Sequence, residues 1–504
     1  MSGHAPGAAG GQAIGSVAVV PSPSRPLADL VSALPGASLR GDGSASVSGL
    51  CYRSDEAAQG SLFFCVPGVR LDGHDFAADA VARGASALVV ERWLEHEVAQ
   101  VLVPSVRRSM GPISAAYFGR PSDAMTVVGV TGTNGKTTTT YLLEAVFRAA
   151  GRTPGVVGTT GVRIAGRPTS FPRTTPEAPD LHRLFAEMAA ARVDAVAMEV
   201  SSHGLDQHRV DGIRYDLAVF TNLSQDHLDY HASMQEYFAA KARLFTPAMS
   251  EGAVVNHDSE EGRRLAASGL PTITYGLDAG ADIRATHVQT TAHGVAFRAD
   301  GVAISSTLRG LFNVENCLAA FATARSLGLD GHVAAGGISS VRGVPGRVEA
   351  VEVGQSFLVM VDYAHTPDSV QNVLRAARPL ATGRLIVVLG CGGDRDRAKR
   401  PLMGRAATAN ANLSVIMSDN PRSEDPLAII AEIVPGARQG GGDYLVEPDR
   451  RSAIRIAVSE AGPGDVVVIA GKGHEAYQEL AERTVAFDDR EVAAQEIRAL
   501  RGVD

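Results

Sequence analysis

Short apolar runs separated by polar and helix-like stretches recur through much of the 504-residue chain. Strand-length runs of Val, Ile and Leu that alternate with amphipathic stretches are typical of a parallel β-sheet covered by helices. The last third shows this pattern most plainly, in four runs: Phe357–Val361, Leu385–Leu389, Leu413–Met417 and Val466–Ala470. The alternation predicts an α/β fold, and a chain of this length needs more than one hydrophobic core.

Each of the four runs leads directly into a cluster of polar residues. The clusters are Asp362–His365, Gly390–Arg395, Asp419–Arg422 and Gly471–Glu475. Ligands of open parallel sheets bind in the crevice outside the carboxyl ends of the strands. Ordinary solvated loops would account for one or two such clusters, whereas four of them predict a common ligand site at one sheet edge.

A glycine-rich loop lies between a predicted buried strand, Thr126–Val130, and a predicted helix, Thr138–Ala150. Its residues are Gly132, Thr133, Asn134, Gly135, Lys136, Thr137 and Thr138. Glycines let backbone N–H groups face an anion at a helix N-terminus, the lysine would neutralise the β- and γ-phosphates, and the threonine hydroxyl would hold Mg²⁺. Val130 replaces the first glycine of the strict pattern. The loop is therefore a variant P-loop, and we predict that it binds a nucleotide rather than forming a purely structural turn.

Two further apolar runs, Val193–Val200 and Asp216–Thr221, lead into acidic and histidine-rich residues. Glu199 closes the first run, and its carboxylate oxygens suit Mg²⁺. His227 follows the second run, but imidazole is a poorer ligand for so hard an ion, so the residues alone favour a polar loop. Cysteine is absent from this stretch, which disfavours a tetrahedral zinc site.

Composition narrows the class of protein. The chain has 45% hydrophobic and 20% charged residues and a net charge of −8 without a long basic run, which argues against a nucleic-acid partner. No apolar stretch is long enough to span a bilayer. The cysteines Cys51, Cys65, Cys317 and Cys391 are scattered, as expected for reduced thiols in the cytoplasm. These features predict a cytoplasmic protein without membrane insertion.

Turn-forming residues divide the chain into candidate domains. The stretches Phe118–Ser122 and Arg342–Arg347 combine glycine and proline between apolar patterns. Residues 1–26 are rich in Gly, Ala and Pro and lack the features of a secretory signal, so we predict a disordered leader. The predicted divisions are a leader at 1–26, an N-terminal domain at 27–122, a central domain at 123–342 and a C-terminal domain at 343–504.

A series of motifs gives this sequence a specific resemblance. In order, they are TGTNGKTT, MEVSSHGLDQHRV, NLSQDHLDYH, YFAAKARLF, FNVENCLAA, GRVE, VDYAHTPDS, GCGGDRDRAKRPLMG, SDNPR and AGKGHEAYQ. Together they resemble the landmarks of the Mur ligases, above all the members that add 2,6-diaminopimelate, from about Ser54 to the end. The resemblance implies three α/β domains: a small one that binds the UDP group, a central P-loop ATPase-type sheet domain and a C-terminal Rossmann-like domain.

The resemblance also implies an activity. ATP would phosphorylate the D-glutamate γ-carboxylate of UDP-N-acetylmuramoyl-L-alanyl-D-glutamate, a peptidoglycan precursor, and the amine of diaminopimelate would attack the acyl phosphate. Cations are needed because an anion attacks a triphosphate. The implied small-molecule partners are the precursor, diaminopimelate and ATP, with Mg²⁺ as cofactor and a monomer as the working form. The SDNPR motif favours the meso isomer, although the sequence alone does not settle meso against LL.

The catalytic residues that the resemblance implies are Lys136, Glu199, His227 and Lys241. The amphipathic pattern of Tyr237–Phe245 by itself predicts that Lys241 is a surface lysine. The resemblance implies instead that Lys241 is carbamylated to N6-carboxylysine, a reaction that needs a lowered lysine pKa. The implied metal ligands are Thr137, Glu199, His227 and Lys241.

Substrate-binding residues follow from the same resemblance. For the UDP-linked precursor they are Ser54, Thr174, Thr175, Ser201, Gln207 and Arg209; for ATP, beside the P-loop, Asn313, Arg347 and Asp362; for diaminopimelate, Arg395, Asp419, Asn420, Pro421, Arg422, Gly471 and Glu475. Arg422 can bind the distal carboxylate through two parallel hydrogen bonds and Glu475 can pair with the amine. The order Tyr52-Arg53-Ser54-Asp55 departs from the family's usual Asp-Ser-Arg, and Ser61 stands where an acidic residue is common, so the uracil contacts depart most from the family pattern.

Two alternatives remain open at the level of sequence. The first is a related ligase, either another Mur enzyme or a folylpolyglutamate synthase, which the N-terminal UDP-type domain and the DNPR motif argue against. The second is a non-catalytic nucleotide switch, which would explain the P-loop but not four ligand-type clusters at one sheet edge.

Overall fold

The computed structural model describes residues 23–32, 34–68, 71–169, 171, 173–291 and 293–502. Residues 1–22 of the predicted leader lie outside the described residues. Of its last four residues, Arg25–Pro26 form a short strand that pairs with Ser46–Val47. The described chain folds into three successive α/β units, and it contains no helix that is both long and apolar enough to cross a bilayer.

The first unit is built on a sheet in which four neighbouring strands are parallel. Its strands are β1 (Arg25–Pro26), β2 (Ser38–Arg40), β3 (Ser46–Val47), β4 (Gly49–Cys51), β5 (Ser61–Phe64), β6 (Ala85–Val90) and β7 (Ala99–Leu102), and its helices are α1 (Leu27–Val31), α2 (Ala77–Ala82) and α3 (Val106–Phe118). The main sheet has the order β2-β7-β6-β5-β4, with β2 antiparallel to β7.

The second unit contains the glycine-rich loop. Its strands are β8 (Thr126–Thr131), β9 (Pro154–Gly158), β10 (Gly161–Ile164), β11 (Arg167–Thr169), β12 (Ala195–Glu199), β13 (Tyr215–Phe220), β14 (Ser250–Asn256), β15 (Thr272–Gly276), β16 (Ile283–Arg284), β17 (Thr286–Thr291), β18 (Gly294–Ala299) and β19 (Val302–Ser306). Its helices are α4 (Lys136–Ala149), α5 (Ala178–Ala190), α6 (Ser202–Asp206), α7 (Met234–Ala242), α8 (Glu260–Ala266), α9 (Leu311–Ser326) and α10 (Gly331–Ser340). The main sheet runs β11-β10-β9-β12-β8-β13-β14-β15-β16, and β17-β18-β19 form a separate antiparallel sheet.

The third unit is a mostly parallel sheet covered by helices. Its strands are β20 (Glu349–Val351), β21 (Leu358–Asp362), β22 (Leu385–Leu389), β23 (Leu413–Ile416), β24 (Asp443–Val446), β25 (Val466–Ala470), β26 (Tyr477–Glu479) and β27 (Thr484–Ala486). Its helices are α11 (Pro367–Ala377), α12 (Lys399–Asn410), α13 (Pro426–Gly440), α14 (Arg450–Glu460) and α15 (Asp489–Leu500). The main sheet has the order β20-β21-β25-β22-β23-β24, with β20 antiparallel to β21, and β26 and β27 form a hairpin.

The four apolar runs of the third unit are parallel strands, as predicted. Successive residues of β22 point to two different cores: Leu385, Val387 and Leu389 pack on one face, and Ile386 and Val388 on the other. A strand buried on both faces needs apolar residues at every position. This is why the sequence shows continuous runs here rather than an alternating pattern.

The strands that carry the predicted phosphate-site residues are neighbours in one sheet. β8 pairs in parallel with β12 on one side and with β13 on the other. The glycine-rich loop, Glu199 and the residues after Phe220 therefore leave the sheet at the same edge, as predicted. Helix α4 begins at Lys136, two residues before the predicted start, because Gly135 at φ +88° turns the chain directly into the helix.

Candidate active site

The glycine-rich loop is folded tightly against the strand beside it. Gly132 has φ +145°, and a Cβ there would lie 1.9 Å from Thr221 Oγ1. A Cβ at Gly135 would lie 2.4 Å from Asn316 Oδ1. Asn134 N donates to Asn222 Oδ1 at 2.9 Å. Only glycine fits at these two loop positions, and the resulting turn leaves backbone N–H groups at the start of α4.

Two cations lie at this loop. Lys136 Nζ donates to the carbonyl oxygens of Gly132 at 2.9 Å and Thr133 at 2.8 Å, so its ammonium bridges the loop. Arg347, from the start of the third unit, donates from Nη2 to Thr137 Oγ1 at 3.0 Å. Its guanidinium also lies 4.6 Å from the centre of the Tyr363 ring. The loop therefore presents positive charge from two units of the chain, as a triphosphate site requires.

A cleft beside the loop brings the other predicted ATP residues partly together. Arg347 and Asp362 line it with Asn134, Gly135, Thr138, Asn222, Phe312, Glu315 and Asn316. Asp362 Oδ2 accepts from Val348 N at 2.8 Å and Oδ1 from Ala364 N at 2.7 Å, and burial raises its pKa. Asn313 lies instead on a neighbouring cavity and reaches the cleft only through Asn316, whose Nδ2 donates to Asn313 Oδ1 at 2.9 Å.

Glu199 is held rigidly beneath the loop. The side chain is 1% exposed, and its two oxygens accept from Thr159 N and Thr159 Oγ1, both at 2.9 Å. A Cβ at Gly158 would lie 2.4 Å from Glu199 Oε1, so the glycine leaves room for the carboxylate. A buried carboxylate with two neutral donors and no ion-pair partner among the described residues suits a hard cation.

His227 occupies a strained backbone position. Its φ is +57°, in the left-handed region that residues other than glycine rarely adopt. Burial lowers the pKa of His227, and although Asp226 opposes this shift, the result lies well below the ordinary value. The imidazole is therefore neutral at pH 7 and has a lone pair available for a metal.

Lys241 is buried, which contradicts the surface position that the amphipathic pattern predicted. The side chain is 1% exposed, and Nζ donates to Gly132 O at 2.9 Å and lies 4.5 Å from the centre of the Tyr237 ring. No carboxylate of the described residues lies within ion-pair distance of it. Burial, reinforced by Lys136, lowers the pKa of Lys241 well below its usual value. The prediction from the amphipathic pattern was wrong because α7 is covered on both faces near Lys241, on one of them by the glycine-rich loop.

Four of the predicted precursor-binding residues form one hydrogen-bonded network. Ser201 N donates to Thr175 Oγ1 at 3.1 Å, and Thr175 Oγ1 donates to Glu199 O at 3.1 Å. Arg209 Nη1 donates to Thr175 O at 3.2 Å, and its Nη2 donates to Gln207 Oε1 at 2.5 Å. The network places these side chains beside the strand end that carries the buried carboxylate.

The other two predicted precursor residues lie apart from that network. Thr174 contacts Thr159 through their hydroxyls at 3.0 Å and lines the main cavity. Ser54 lies in the first unit, where its hydroxyl donates to Asp79. No described contact brings Ser54 to the other predicted precursor residues, so its role stays a prediction.

The main cavity has a volume of about 830 Å³ and lies between the second and third units. All four predicted polar clusters contribute to it, so the prediction that they share one sheet edge is confirmed. The predicted diaminopimelate residues that line it are Arg395, Asp419, Asn420, Arg422, Gly471 and Glu475; the second unit adds Thr159, Phe171, Arg173, Thr174, Asp226 and His227. Pro421 does not line the cavity. Lys136 does not line it either, but Thr133 of its loop accepts from Ser224 N at 3.0 Å, in the segment that leads to His227.

Arg422 is positioned by the hairpin that covers the cavity. Its φ is +51°, Nε lies 2.7 Å from Glu479 Oε2, and Nη1 donates to Gly393 O at 2.9 Å. Burial would raise the pKa of Asp419, but Arg450 and Lys472 outweigh burial, so this pKa lies below its ordinary value. The cavity thus presents separate positive and negative groups, which suits a ligand carrying both charges.

Three contacts join the second and third units beside His227. Lys399 Nζ lies 3.2 Å from Asp226 Oδ1, His365 Nε2 lies 3.5 Å from Asp226 Oδ2, and Gln225 Nε2 donates to Asp396 Oδ2 at 3.3 Å. Burial opposes ionisation of Asp226, yet His365 and Lys399 hold its pKa well below the usual range. These contacts close the cavity on the side of the loop.

Three domain families match most of this chain. They are described as Mur ligase family, catalytic domain, over residues 46–117; Mur ligase middle domain, over 130–324; and Mur ligase, glutamate ligase domain, over 346–473. A curated relative from Geobacillus thermodenitrificans, a UDP-N-acetylmuramoyl-L-alanyl-D-glutamate–2,6-diaminopimelate ligase, is 47% identical over 94% of this chain and 100% of its own. The chain belongs to the Mur ligase family. A Streptomyces coelicolor relative with the same name is 44% identical over 96% of this chain and 99% of its own.

Solved structures of the Mur ligase family show the same architecture. The structure of a UDP-N-acetylmuramoyl-L-alanyl-D-glutamate–2,6-diaminopimelate ligase matches with a TM-score of 0.64 at 34% sequence identity. The match covers 90% of this chain and 95% of the chain of that enzyme. A Mycobacterium tuberculosis folylpolyglutamate synthase has a TM-score of 0.60 over 79% of this chain and 95% of its own, but at 20% identity it shows the fold alone. The three-domain fold expected from the resemblance is confirmed.

Several residues at the Mur ligase cavity were not predicted. Asp226, His365 and Lys399 join two units there, and Lys472 and Glu479 contact predicted ligands. The first four stand inside the motifs of the sequence, close to residues that were predicted to bind a ligand. The sequence therefore located these four residues but gave no sign of the contacts that they make. A further group lies near Arg209, where buried Glu177 accepts from Arg107 and Arg173 as well. No local sequence signal pointed to that group.

Proposed function

We propose that this Mur ligase joins meso-2,6-diaminopimelate to the D-glutamate γ-carboxylate of UDP-N-acetylmuramoyl-L-alanyl-D-glutamate, with ATP as the energy source. The observation that carries the proposal is the 830 Å³ cavity, into which His227 of the ATP-loop unit and Arg422 of the third unit both face. The cavity adjoins the cleft at the glycine-rich loop, since Tyr363 lines both. A phosphate site next to a site for a zwitterion is what a ligase needs and a nucleotide switch does not. The names of the relatives supply the substrate identities.

The first step is transfer of the γ-phosphate. The γ-carboxylate oxygen of D-glutamate attacks the γ-phosphorus of ATP, the bond to the β-phosphate oxygen breaks, and ADP and an acyl phosphate form. Lys136 and Arg347 bind and orient the phosphates. The N–H groups at the start of α4 donate hydrogen bonds that stabilise the negative charge of the transferred phosphate. The Thr175–Arg209 network holds the muramoyl-dipeptide so that its carboxylate meets the phosphate.

The second step forms the peptide bond. The amine of diaminopimelate attacks the acyl carbon, the tetrahedral intermediate loses inorganic phosphate, and the amine releases its proton. Arg422 and Arg395 bind the distal carboxylate, and Glu475, to which Asn420 Nδ2 donates, binds the distal ammonium. The contacts between Asp226 and Lys399 close the cavity, which keeps water from the acyl phosphate.

The residues of the proposed metal site have two properties that favour binding of a magnesium ion. Glu199 is a buried carboxylate without a cationic partner among the described residues, and His227 is neutral. Lys241 as an amine offers no oxygen ligand, but its lowered pKa leaves the neutral form that adds CO₂ to give a carbamate. Mg²⁺ held by Thr137, Glu199, His227 and carboxylated Lys241 would screen the charge of the phosphates.

We also infer that the enzyme works as a monomer in the cytoplasm. Each of its four cysteines is free and buried, as expected for thiols in a reducing compartment. One chain already supplies the phosphate loop, the cavity and both charge types, so no second copy is needed to complete the site.

The test is phosphate release from ATP with all combinations of substrates. We expect release only when the UDP-linked dipeptide and meso-diaminopimelate are both present, with lysine and LL-diaminopimelate giving little. Release that depends on the precursor and lysine would reassign the amine donor. Release with no amine donor would indicate an ATPase or a nucleotide switch and would overturn the proposal.

A further inference from the structure

Lys472 is a fully buried lysine that lies behind the diaminopimelate end of the cavity. Its side chain is 0% exposed, and it does not line the cavity, although Gly471 and Glu475 on either side of it do. The backbone on both sides is confined: Gly471 has φ +112° and Gly473 has φ +54°. A Cβ at Gly471 would lie 2.5 Å from Asp419 Oδ2, so only glycine fits directly before the lysine.

The ammonium of Lys472 contacts two of the residues assigned to the substrate. Nζ donates to Asn420 Oδ1 at 3.0 Å and to Glu475 Oε2 at 3.0 Å, and it lies 5.1 Å from the centre of the Tyr477 ring. Among the described residues, Lys472 is the one ion-pair partner of Glu475. A buried charge is stable only when such partners surround it, so Lys472 depends on these two side chains.

The amide of Asn420 is oriented by these contacts. Its Oδ1 accepts from both Lys472 Nζ and Glu479 N, each at 3.0 Å, which leaves Nδ2 directed at Glu475 Oε2, 3.3 Å away. Without Lys472, Asn420 would lose one of the two donors that decide which way the amide points. Glu475 would at the same time lose its buried counter-ion and keep two weak contacts, from Asn420 Nδ2 at 3.3 Å and from the Tyr363 hydroxyl at 3.4 Å.

We propose that Lys472 is a positioning residue for the amino-acid substrate: it holds Asn420 and Glu475 in the arrangement that receives the distal ammonium of diaminopimelate. The inference rests on the proposed function, because it assigns a role within the same site. Lys472 acts through its two neighbours and does not touch the substrate. Its removal therefore affects the binding of the amine donor but not of ATP, because neither Asn420 nor Glu475, the residues that its ammonium contacts, is assigned to the ATP site.

The test compares Lys472→Met with wild type in the phosphate-release assay, titrating meso-diaminopimelate, ATP and the UDP-linked dipeptide separately. We expect KM for diaminopimelate to rise about 10- to 100-fold, the range for losing buried charged hydrogen bonds, with KM for the other two substrates unchanged. Arg384→Met is the control, because Arg384 pairs with Asp465 and Glu460 before the first residue of β22, away from the cavity. Its three KM values should match wild type.

The outcomes separate the inference from the proposed function. If wild type shows no release that depends on diaminopimelate, the proposed function fails. If wild type is active and folded Lys472→Met keeps its KM for diaminopimelate, or raises all three KM values equally, the positioning role is wrong. Should Lys472→Met not fold, Lys472→Arg and Lys472→Gln decide: arginine, which keeps the charge, must restore KM for diaminopimelate better than glutamine does.

Discussion

Replacing Arg422 by alanine tests how the protein selects its amine donor. Diaminopimelate differs from lysine by a carboxylate beside the distal amine, and Arg422 is the guanidinium in the cavity that the hairpin residue Glu479 orients at 2.7 Å. Truncation removes this cation and leaves Glu479 facing the same space. The substrate carboxylate would then lose its partner and meet a like charge instead.

The magnitude follows from the contacts that are exchanged. A hydrogen bond to a charged group contributes about 1.5–3 kcal/mol when buried. The substrate must first displace the Arg422–Glu479 pair, whose side chains are 24% and 36% exposed. A pair so accessible to water is worth about 0–1 kcal/mol. The net loss is about 0.5–3 kcal/mol, which corresponds to roughly a 2- to 160-fold rise in KM.

The assay measures phosphate release while diaminopimelate or lysine is varied at saturating ATP and precursor. We expect KM for diaminopimelate to rise in Arg422→Ala, KM for lysine to change little, and KM for the precursor to stay the same. Arg397→Ala is the matched control, since Arg397 is 66% exposed and pairs with Glu432 outside the cavity. An unchanged apparent affinity of folded Arg422→Ala for diaminopimelate would refute the reasoning.

Three further expectations can be measured on single variants. Lys241→Ala and Lys241→Arg should both lower kcat by about 100-fold or more at unchanged melting temperature, because neither can form the carbamate; activity close to wild type in the arginine variant would exclude that role. Gly132→Ala should abolish ATP turnover and lower the melting temperature, because its Cβ would lie 1.9 Å from Thr221 Oγ1; normal KM for ATP would contradict this. Burial raises the pKa of Glu315 from 4.5 to about 7, so the folded state keeps a proton that the unfolded state releases as pH rises above 4.5. The contribution of this group to stability therefore falls as pH rises toward 7. Glu315→Gln should be more stable than wild type by about 1–3 kcal/mol at pH 8 but not at pH 4. Thermal unfolding of both proteins at the two pH values measures this difference.

Several elements of this fold could be predicted from local chemistry along the chain. Continuous apolar runs such as Leu385–Leu389 and Val466–Ala470 became strands with the predicted bounds, because a strand buried on both faces tolerates no polar residue. The positions of the glycines in the P-loop were equally decisive, since their φ values exclude other residues. Ligands of parallel sheets bind at the carboxyl ends of the strands, and each of the four polar clusters directly follows a strand. The sequence therefore also predicted that the four clusters share one sheet edge.

Which charges are buried and paired depends on how distant segments pack together. Lys241 looks like an ordinary surface lysine in its own segment, and Lys472 was predicted only as part of a polar cluster. Each is enclosed by residues distant in sequence, Gly132 in one case and Asn420 in the other. Asn313 was expected near ATP from its motif, but the turn of α9 directs Asn316 to the cleft instead. Burial and pairing depend on contacts between units, and a local pattern carries no information about what packs against it from elsewhere in the chain.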